Sequence, residues 1–269
     1  MSACVSAVQH ISRLRGGSQS HLLRASDRQC YVTKFQNNPQ HIRVLANEML
    51  ATRLGGLLGL PMPRVAAIEV CPWLIEHTQE LRIETGGVRT ECRPGLHFGC
   101  EYAIDPADGH LFDYLPENML AQIANLDDFP RVLILDKWTC NADGRQVVFY
   151  RRSNQRRYRA MFIDQGYCFN AGEWSFPDSP YRGIYARPCV YQQVRNWDAF
   201  EPALTRAEKM DVDAIWRIAA GIPGEWYEDD RAGLDRLVEQ LYSRRSQIRD
   251  LITTFRKSDR NPFPLWTTA

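Results

Sequence analysis

The chain has 269 residues, 44% hydrophobic and 24% charged, the balance of an ordinary folded protein. Lys and Arg total 33 against 32 Asp and Glu, so a net charge of +1 supplies no long-range field to gather nucleic acid or an anionic membrane. No apolar run is long enough to cross a bilayer, and the length allows one large domain or two lobes sharing a cleft.

The eight cysteines (Cys4, Cys30, Cys71, Cys92, Cys100, Cys140, Cys168 and Cys189) show neither Cys-x-x-Cys pairs nor zinc-finger spacing, and the six histidines are scattered. This pattern predicts reduced thiols rather than a disulfide framework or a His/Cys metal centre. Met1–Val5 lacks the apolar core of a signal peptide, and the expectation is a cytoplasmic protein.

Ala7–Leu14 reads as a strand, followed by the loop Gly16-Gly17-Ser18-Gln19-Ser20. His21–Ala25 and Gln29–Phe35 are two further strands, the last carrying Lys34. Glycines let a backbone approach phosphate oxygens, and a lysine on a neighbouring strand adds positive charge, so the layout fits a nucleotide-covering loop. A plain hairpin turn also favours Gly-Gly and Ser. Asn38 and Pro39 predict the start of a helix in which Ile42, Leu45, Ala46, Met49 and Leu50 keep a 3.6-residue period. Glu48 sits at the edge of that stripe, either as a partner for Lys34 or as a solvated helix glutamate.

Val65–Val70 reads as a strand, Trp73–Glu76 and Leu81–Ile83 as further strand candidates, and Leu96–Tyr102 as a last strand running into a linker. Beyond it, helices are expected over Pro116–Leu126, Phe129–Trp138, Thr205–Ala220 and Asp230–Lys257, with Pro262–Ala269 as a loose tail. Lys137, at a helix end, suits either a phosphate or the helix's own terminal carbonyls.

The centre of the chain is the most informative. Val147–Tyr150 and Tyr158–Ile163 are rich in β-branched and aromatic residues and predict the arms of a hairpin with Arg151–Arg157 as its turn. Asp143 and Asp164 flank it, 21 residues apart (164 − 143), and a hairpin returns its ends to one place. Two carboxylates brought together there suit Mg²⁺, which takes a few hard oxygens from protein and the rest from phosphates and water.

Asn141-Ala142-Asp143-Gly144, the hairpin and Ile163-Asp164-Gln165-Gly166 resemble, in order and spacing, the core of HipA-like kinases and their phosphatidylinositol 3- and 4-kinase relatives. The glycine loop and the step Leu60-Pro61-Met62-Pro63 extend the likeness toward the N-terminus. The resemblance implies an α+β, bilobal protein-kinase-like fold, with a β-rich lobe over 1–102, a mainly helical lobe over 103–269, and a hinge at Phe98–Tyr102 facing adenine. It implies ATP and Mg²⁺ as cofactors and an unidentified protein or small-molecule acceptor. Asn141 and Asp143 would serve catalysis, Asp164 the metal, and Gly16–Ser20, Lys34 and Glu48 the nucleotide.

One position departs from the pattern. The family places a metal-binding Asn five residues after the catalytic Asp, where this chain has Val148. Gln146, two residues earlier and on the same side of an extended chain, is the substitute ligand. Without it the chain would be a nucleotide-binding pseudokinase. A nucleic-acid reading of Arg151, Arg152, Arg156, Arg157 and Arg159 has little support in a near-neutral chain, where such a cluster reads as a solvated turn.

Overall fold

A computed structural model describes residues 4–105 and 108–267. Its N-terminal part is a closed five-stranded barrel built from β1 (Cys4–Arg13), β2 (His21–Ala25), β3 (Cys30–Lys34), β4 (Val65–Val70) and β7 (Gly95–Glu101). The order is β1-β2-β3-β7-β4, closed by a parallel pairing of β1 with β4. A hairpin of β5 (Arg82–Thr85) and β6 (Val88–Glu91) stands beside it. Trp73–Glu76, a strand candidate from sequence, is instead the short helix α2 (Pro72–Glu76). Pro72 at its first position, after an extended Cys71, favours that start.

The principal helix, α1 (Val44–Leu57), begins later than Asn38-Pro39 predicts. The Asn38 side chain accepts the Gln40 N–H at 3.0 Å and donates to the Phe35 carbonyl at 2.8 Å, so it caps a turn ahead of the helix. Val44–Thr52 is buried on every side, as befits a helix packed between layers rather than on a surface. It touches β4 and β7 on one side, and α3 (Asp128–Trp138) and α5 (Val212–Ala219) on the other. The larger hydrophobic core therefore runs from Val44 to Phe263, while a smaller one fills the barrel around Leu23, Phe35 and Ile68.

The central hairpin forms as expected. β9 (Gln146–Arg152) and β10 (Arg159–Ile163) pair antiparallel, with Gln146 opposite Ile163 and Val148 opposite Met161. The sequence-based turn is trimmed because β9 continues to Arg152, where β8 (Gly109–Phe112) adds a third strand.

The C-terminal helices are more broken than their apolar stripes suggest. The expected Thr205–Ala220 helix is α4 (Ala203–Glu208) followed by α5, because Asp211 restarts the chain by capping the N–H of Asp213 at 3.2 Å. The last long helix is α6 (Arg231–Arg244) and α7 (Ile248–Arg256), joined by the 3-10 turn Arg245–Gln247. Pro116–Leu126 contains a 3-10 turn, Glu117–Gln122, in place of an α-helix. The segment expected to be a loose tail is packed: Phe263 is buried, and Trp266 meets Trp197 edge-on with ring centroids 5.4 Å apart. Thr268 and Ala269 lie outside the described residues.

Candidate active site

Three charged side chains far apart in sequence meet where the barrel, α1 and the end of β10 come together. Lys34, the last residue of β3, places Nζ 2.5 Å from Glu48 Oε1 on α1 and 2.9 Å from Asp164 Oδ1. Lys34 and Glu48 are buried, Asp164 partly so. Burial alone would push the Lys34 ammonium down, yet the two carboxylates outweigh it and hold its pKa above the ordinary lysine value. Burial pushes the Glu48 carboxyl up against the pull of Lys34. At Asp164 burial acts in the same direction, but Lys34 prevails and holds that carboxyl below its usual range. The site thus keeps a charged lysine facing an ionised Asp164.

The backbone around Asp164 is shaped for this meeting. Asp164 has φ +60, a left-handed conformation that aspartate tolerates better than most residues. The next N–H, of Gln165, donates to Glu48 Oε2 at 2.8 Å, so both Glu48 oxygens are engaged. Gly166 lies so close to α1 that an added Cβ would sit 2.5 Å from Val44 Cγ2 and 3.4 Å from Glu48 Oε1. Asn47 Nδ2 donates to the carbonyls of Gly166, Cys168 and Ala171 at 2.8–3.0 Å, and His41 Nε2 lies 3.0 Å from the same Gly166 oxygen. Sequence patterning offered no reason to single out His41 or Asn47, whose partners lie in a distant loop: main-chain carbonyls for both, and for Asn47 also the Trp174 indole N–H, which donates to Oδ1 at 2.8 Å.

On the other side of the hairpin end stands the Asn141–Gln146 loop. Asn141 Nδ2 donates to Asp136 at 2.9 Å, and its Oδ1 accepts the Asp143 N–H at 3.1 Å, which fixes the turn carrying Asp143. Asp143 is exposed, accepts the Gly144 N–H at 2.7 Å, and receives Gln146 Nε2 at 3.3 Å. Beneath it, Arg145 forms a fully buried ion pair with Asp136 and also donates to the Ile163 carbonyl and to Gln165 Oε1, each at 2.9 Å. Arg145 therefore ties the Asp143 loop to the Asp164 segment. These two residues look like surface charges in sequence, and only their complete burial identifies them.

The Gly16–Ser20 loop joins β1 to β2. Gly16 (φ +132) and Gln19 (φ +48) make the turn, tightened by Gln19 N–H to the Gly16 carbonyl at 3.1 Å. The Gln19 amide reaches the other way from the expected one: it bonds the Glu84 carbonyl at 2.6 Å and the Glu84 N–H at 2.8 Å, and accepts from Arg13. Ser18 and Ser20 are buried with hydroxyls 2.9 Å apart. Gln40 Nε2 lies 3.7 Å from the place a Gly17 Cβ would occupy.

Val148 is buried in the hairpin opposite Met161, while Gln146 is exposed beside Asp143. Lys137 does not serve the terminal carbonyls of its own helix: it donates to the carbonyls of Pro180 and Arg182 in a distant segment at 2.8 and 2.6 Å, with burial holding its pKa down at about 8. In the arginine cluster, Arg157 donates to the Ile123 carbonyl and Arg151 stacks on Tyr158.

Among the described residues no group of three or more His, Cys, Asp or Glu side chains could hold a metal. Asp164 and Gln146, brought to the same end of the hairpin, offer a few oxygen atoms, the donor type that Mg²⁺ takes together with phosphates and water.

The fold has solved counterparts. A proinflammatory kinase of Helicobacter pylori, CtkA, matches at TM-score 0.54 and 14% identity, over 92% of this chain and 99% of that one. A Golgi casein kinase solved with Mn and ADP matches at 0.52 and 12%, over 96% and 74%. HipA of Shewanella oneidensis MR-1, solved with HipB and operator DNA, matches at 0.52 and 12%, over 94% and 69%. No curated protein matches. The family model for HipA-like kinases matches residues 8–254, nearly the whole chain, and the chain belongs to the HipA-like kinase family.

Proposed function

We propose that this protein is an ATP- and Mg²⁺-dependent kinase working across two lobes, 1–102 and 103–269. The observation that carries the reading is the convergence of Lys34, Glu48 and Asp164 from a strand, a helix and a post-hairpin loop. A strand lysine fixed by a helix glutamate is the arrangement that holds a nucleotide's α- and β-phosphates. The backbone of Gly16–Ser20 covers the phosphates, while the Gln19 side chain anchors that loop to β5. Asp164 and the Gln146 carbonyl hold Mg²⁺, which when bound neutralises phosphate charge.

Asp143 orients the acceptor hydroxyl and takes its proton as the acceptor oxygen bonds to the γ-phosphorus and the bond to the β-phosphate oxygen breaks, releasing ADP. Asn141 fixes Asp143, and Arg145 fixes the distance between the two loops. The acceptor is a hydroxyl of a protein or small molecule.

The test is transfer of labelled γ-phosphate from ATP with Mg²⁺ or Mn²⁺, to the protein itself, to water or to an added acceptor. Asp143→Asn and Asp164→Asn should abolish it, and Lys34→Ala should weaken binding of a fluorescent ATP analogue. Wild-type binding of the analogue without any transfer would establish the pseudokinase reading, which Val148 at the family's metal position favours. Unchanged analogue affinity in a folded Lys34→Ala protein would refute both.

A further inference from the structure

The segment that follows Asp164-Gln165-Gly166 carries a device unused by the site as described so far. Phe169, Asn170 and Ala171 are consecutive residues with φ between +57 and +58, and Trp174 has φ +48. Left-handed backbone is costly for residues other than glycine and persists only where surroundings enforce it. From Phe176 to Ile184 the chain then crosses the C-terminal end of α3 and returns to the Asp143 loop. There Gly183 N–H donates to the Asp143 carbonyl at 3.1 Å, and the Ile184 carbonyl accepts Arg145 N–H at 3.0 Å. Whatever fixes this segment fixes one wall of the Asp143 site.

An ion pair at Asp178 is one of its fastenings, beside the Arg182 bond to Asn170 at 2.7 Å and the Tyr181 bond to Asp259. Asp178 receives two bonds from Arg244, the last residue of α6, at 2.9 and 2.7 Å. The same guanidinium donates to the Trp138 carbonyl at 3.1 Å and the Lys137 carbonyl at 3.2 Å, and lies 4.2 Å over the Phe176 ring. It caps the carbonyls that end α3, two residues before the Asn141–Gln146 loop begins, beside the Cys140 N–H that also reaches the Lys137 carbonyl. Arg244 is buried, so without Asp178 its charge would lack a counterion. Lys137 adds a further fastening through Pro180 and Arg182.

We infer that Asp178 is a positioning residue whose carboxylate, by clamping Arg244, locks residues 176–184 against α3 in the arrangement that shapes the Asp143 site. The inference rests on the proposed kinase reading for its catalytic consequence and on geometry alone for the clamp. The protein supplies its own permanent anion here, so the segment is set without a phosphate being added to it. An open hollow of 360 Å³ lined by Phe176, Glu239, Gln240, Ser243, Arg244 and Gln247 borders that guanidinium.

Three variants of the full chain test this: Asp178→Asn, Asp178→Glu and Asp178→Ala. Hydrogen exchange of amides 176–184, with Gly183 as the reporter, should speed up at least tenfold in Asp178→Asn and return toward wild type in Asp178→Glu. Added formate should restore protection in Asp178→Ala. Turnover should fall about tenfold in Asp178→Asn while affinity for a fluorescent ATP analogue stays at the wild-type value, because the Lys34 site is untouched. Unchanged Gly183 protection in Asp178→Asn overturns the clamp. Raised exchange with unchanged turnover, or an equal loss of nucleotide affinity, overturns the positioning role. A wild-type protein that transfers no phosphate refutes the kinase reading, while the exchange and formate results still decide the clamp.

Discussion

Glu48 holds Lys34 with one carboxylate oxygen and the main-chain N–H of Gln165 with the other. One buried side chain on α1 thereby sets both the strand lysine and the peptide immediately after Asp164. Glu48→Gln retains an acceptor for Gln165 but loses the charge facing Lys34. We predict a fall in turnover of up to ~100-fold, with the larger part in kcat, since a misplaced catalytic group costs rate rather than ground-state binding. Steady-state kinetics would check this, and a change confined to KM would contradict it.

Gly166 is a tight spot of a different kind. Gly166→Ala drives a methyl group into Val44 on one side and toward Glu48 and Asp164 on the other. The expected cost is about 1–3 kcal/mol of stability, read as a lower urea midpoint, together with reduced turnover. An alanine variant as stable as wild type would show that α1 yields more easily than its burial implies.

Arg145 and Asp136 should behave as a coupled pair. Arg145→Leu leaves a buried carboxylate without a counterion, at an expected cost of about 3–5 kcal/mol. Adding Asp136→Leu should recover a large part of that loss in urea unfolding, although not the activity, because the tie from Arg145 to Ile163 and Gln165 is gone in both. Strict additivity of the two substitutions would rule out the coupling.

Gln146 and Val148 separate by exposure. Gln146→Ala should lower Mg²⁺-dependent turnover about tenfold with little change in stability, as expected for an exposed ligand. Val148→Asn restores the family's residue type but buries an amide opposite Met161, so it should cost about 1–3 kcal/mol and raise nothing. A gain in activity from Val148→Asn would mean the hairpin end can reopen to present that side chain.

Burial holds His21, which also faces His10 and Arg13, and His97 down at about 4. In the unfolded chain both take up protons near the ordinary 6.5, whereas the folded protein resists until about 4. The unfolded state binds more protons between those values, so stability present above 6.5 is lost as pH falls. The expected loss from pH 7 to pH 5 is about 2 kcal/mol per histidine, visible as a falling urea midpoint. A flat profile over that range would refute it.

The parts of this structure that were legible in sequence share one property: they are set by neighbours along the chain. The hairpin followed from β-branched and aromatic arms, and its closure brought the Asp143 and Asp164 loops to one end. The pairing of Glu48 with Lys34 was one of two readings the helix period left open, and the burial of both decides it. What escaped notice depends on distant partners. Asp136, Arg145 and Asn47 are polar residues whose burial is created by the fold. Asn38 has the chemistry of a helix cap but spends it on a turn, and Phe263 and Trp266 close an aromatic cluster no local pattern announces. Gln19 was expected to face a phosphate, yet its amide is drawn to Glu84, a contact 65 residues away.

The barrel imposes a last constraint. Because β1 pairs with β4 over Cys4–Ser6 and with β2 over Ala7–Arg13, the N-terminal sheet closes into a ring. Closure leaves less edge for a peptide to extend than an open sheet would, and Val8 and Ile11 of β1 stand exposed. The ring also holds both arms of the Gly16–Ser20 turn at fixed spacing. Within that spacing the shape of the turn is set by Gly16 and Gln19, at φ +132 and +48, and by the anchor of Gln19 on Glu84.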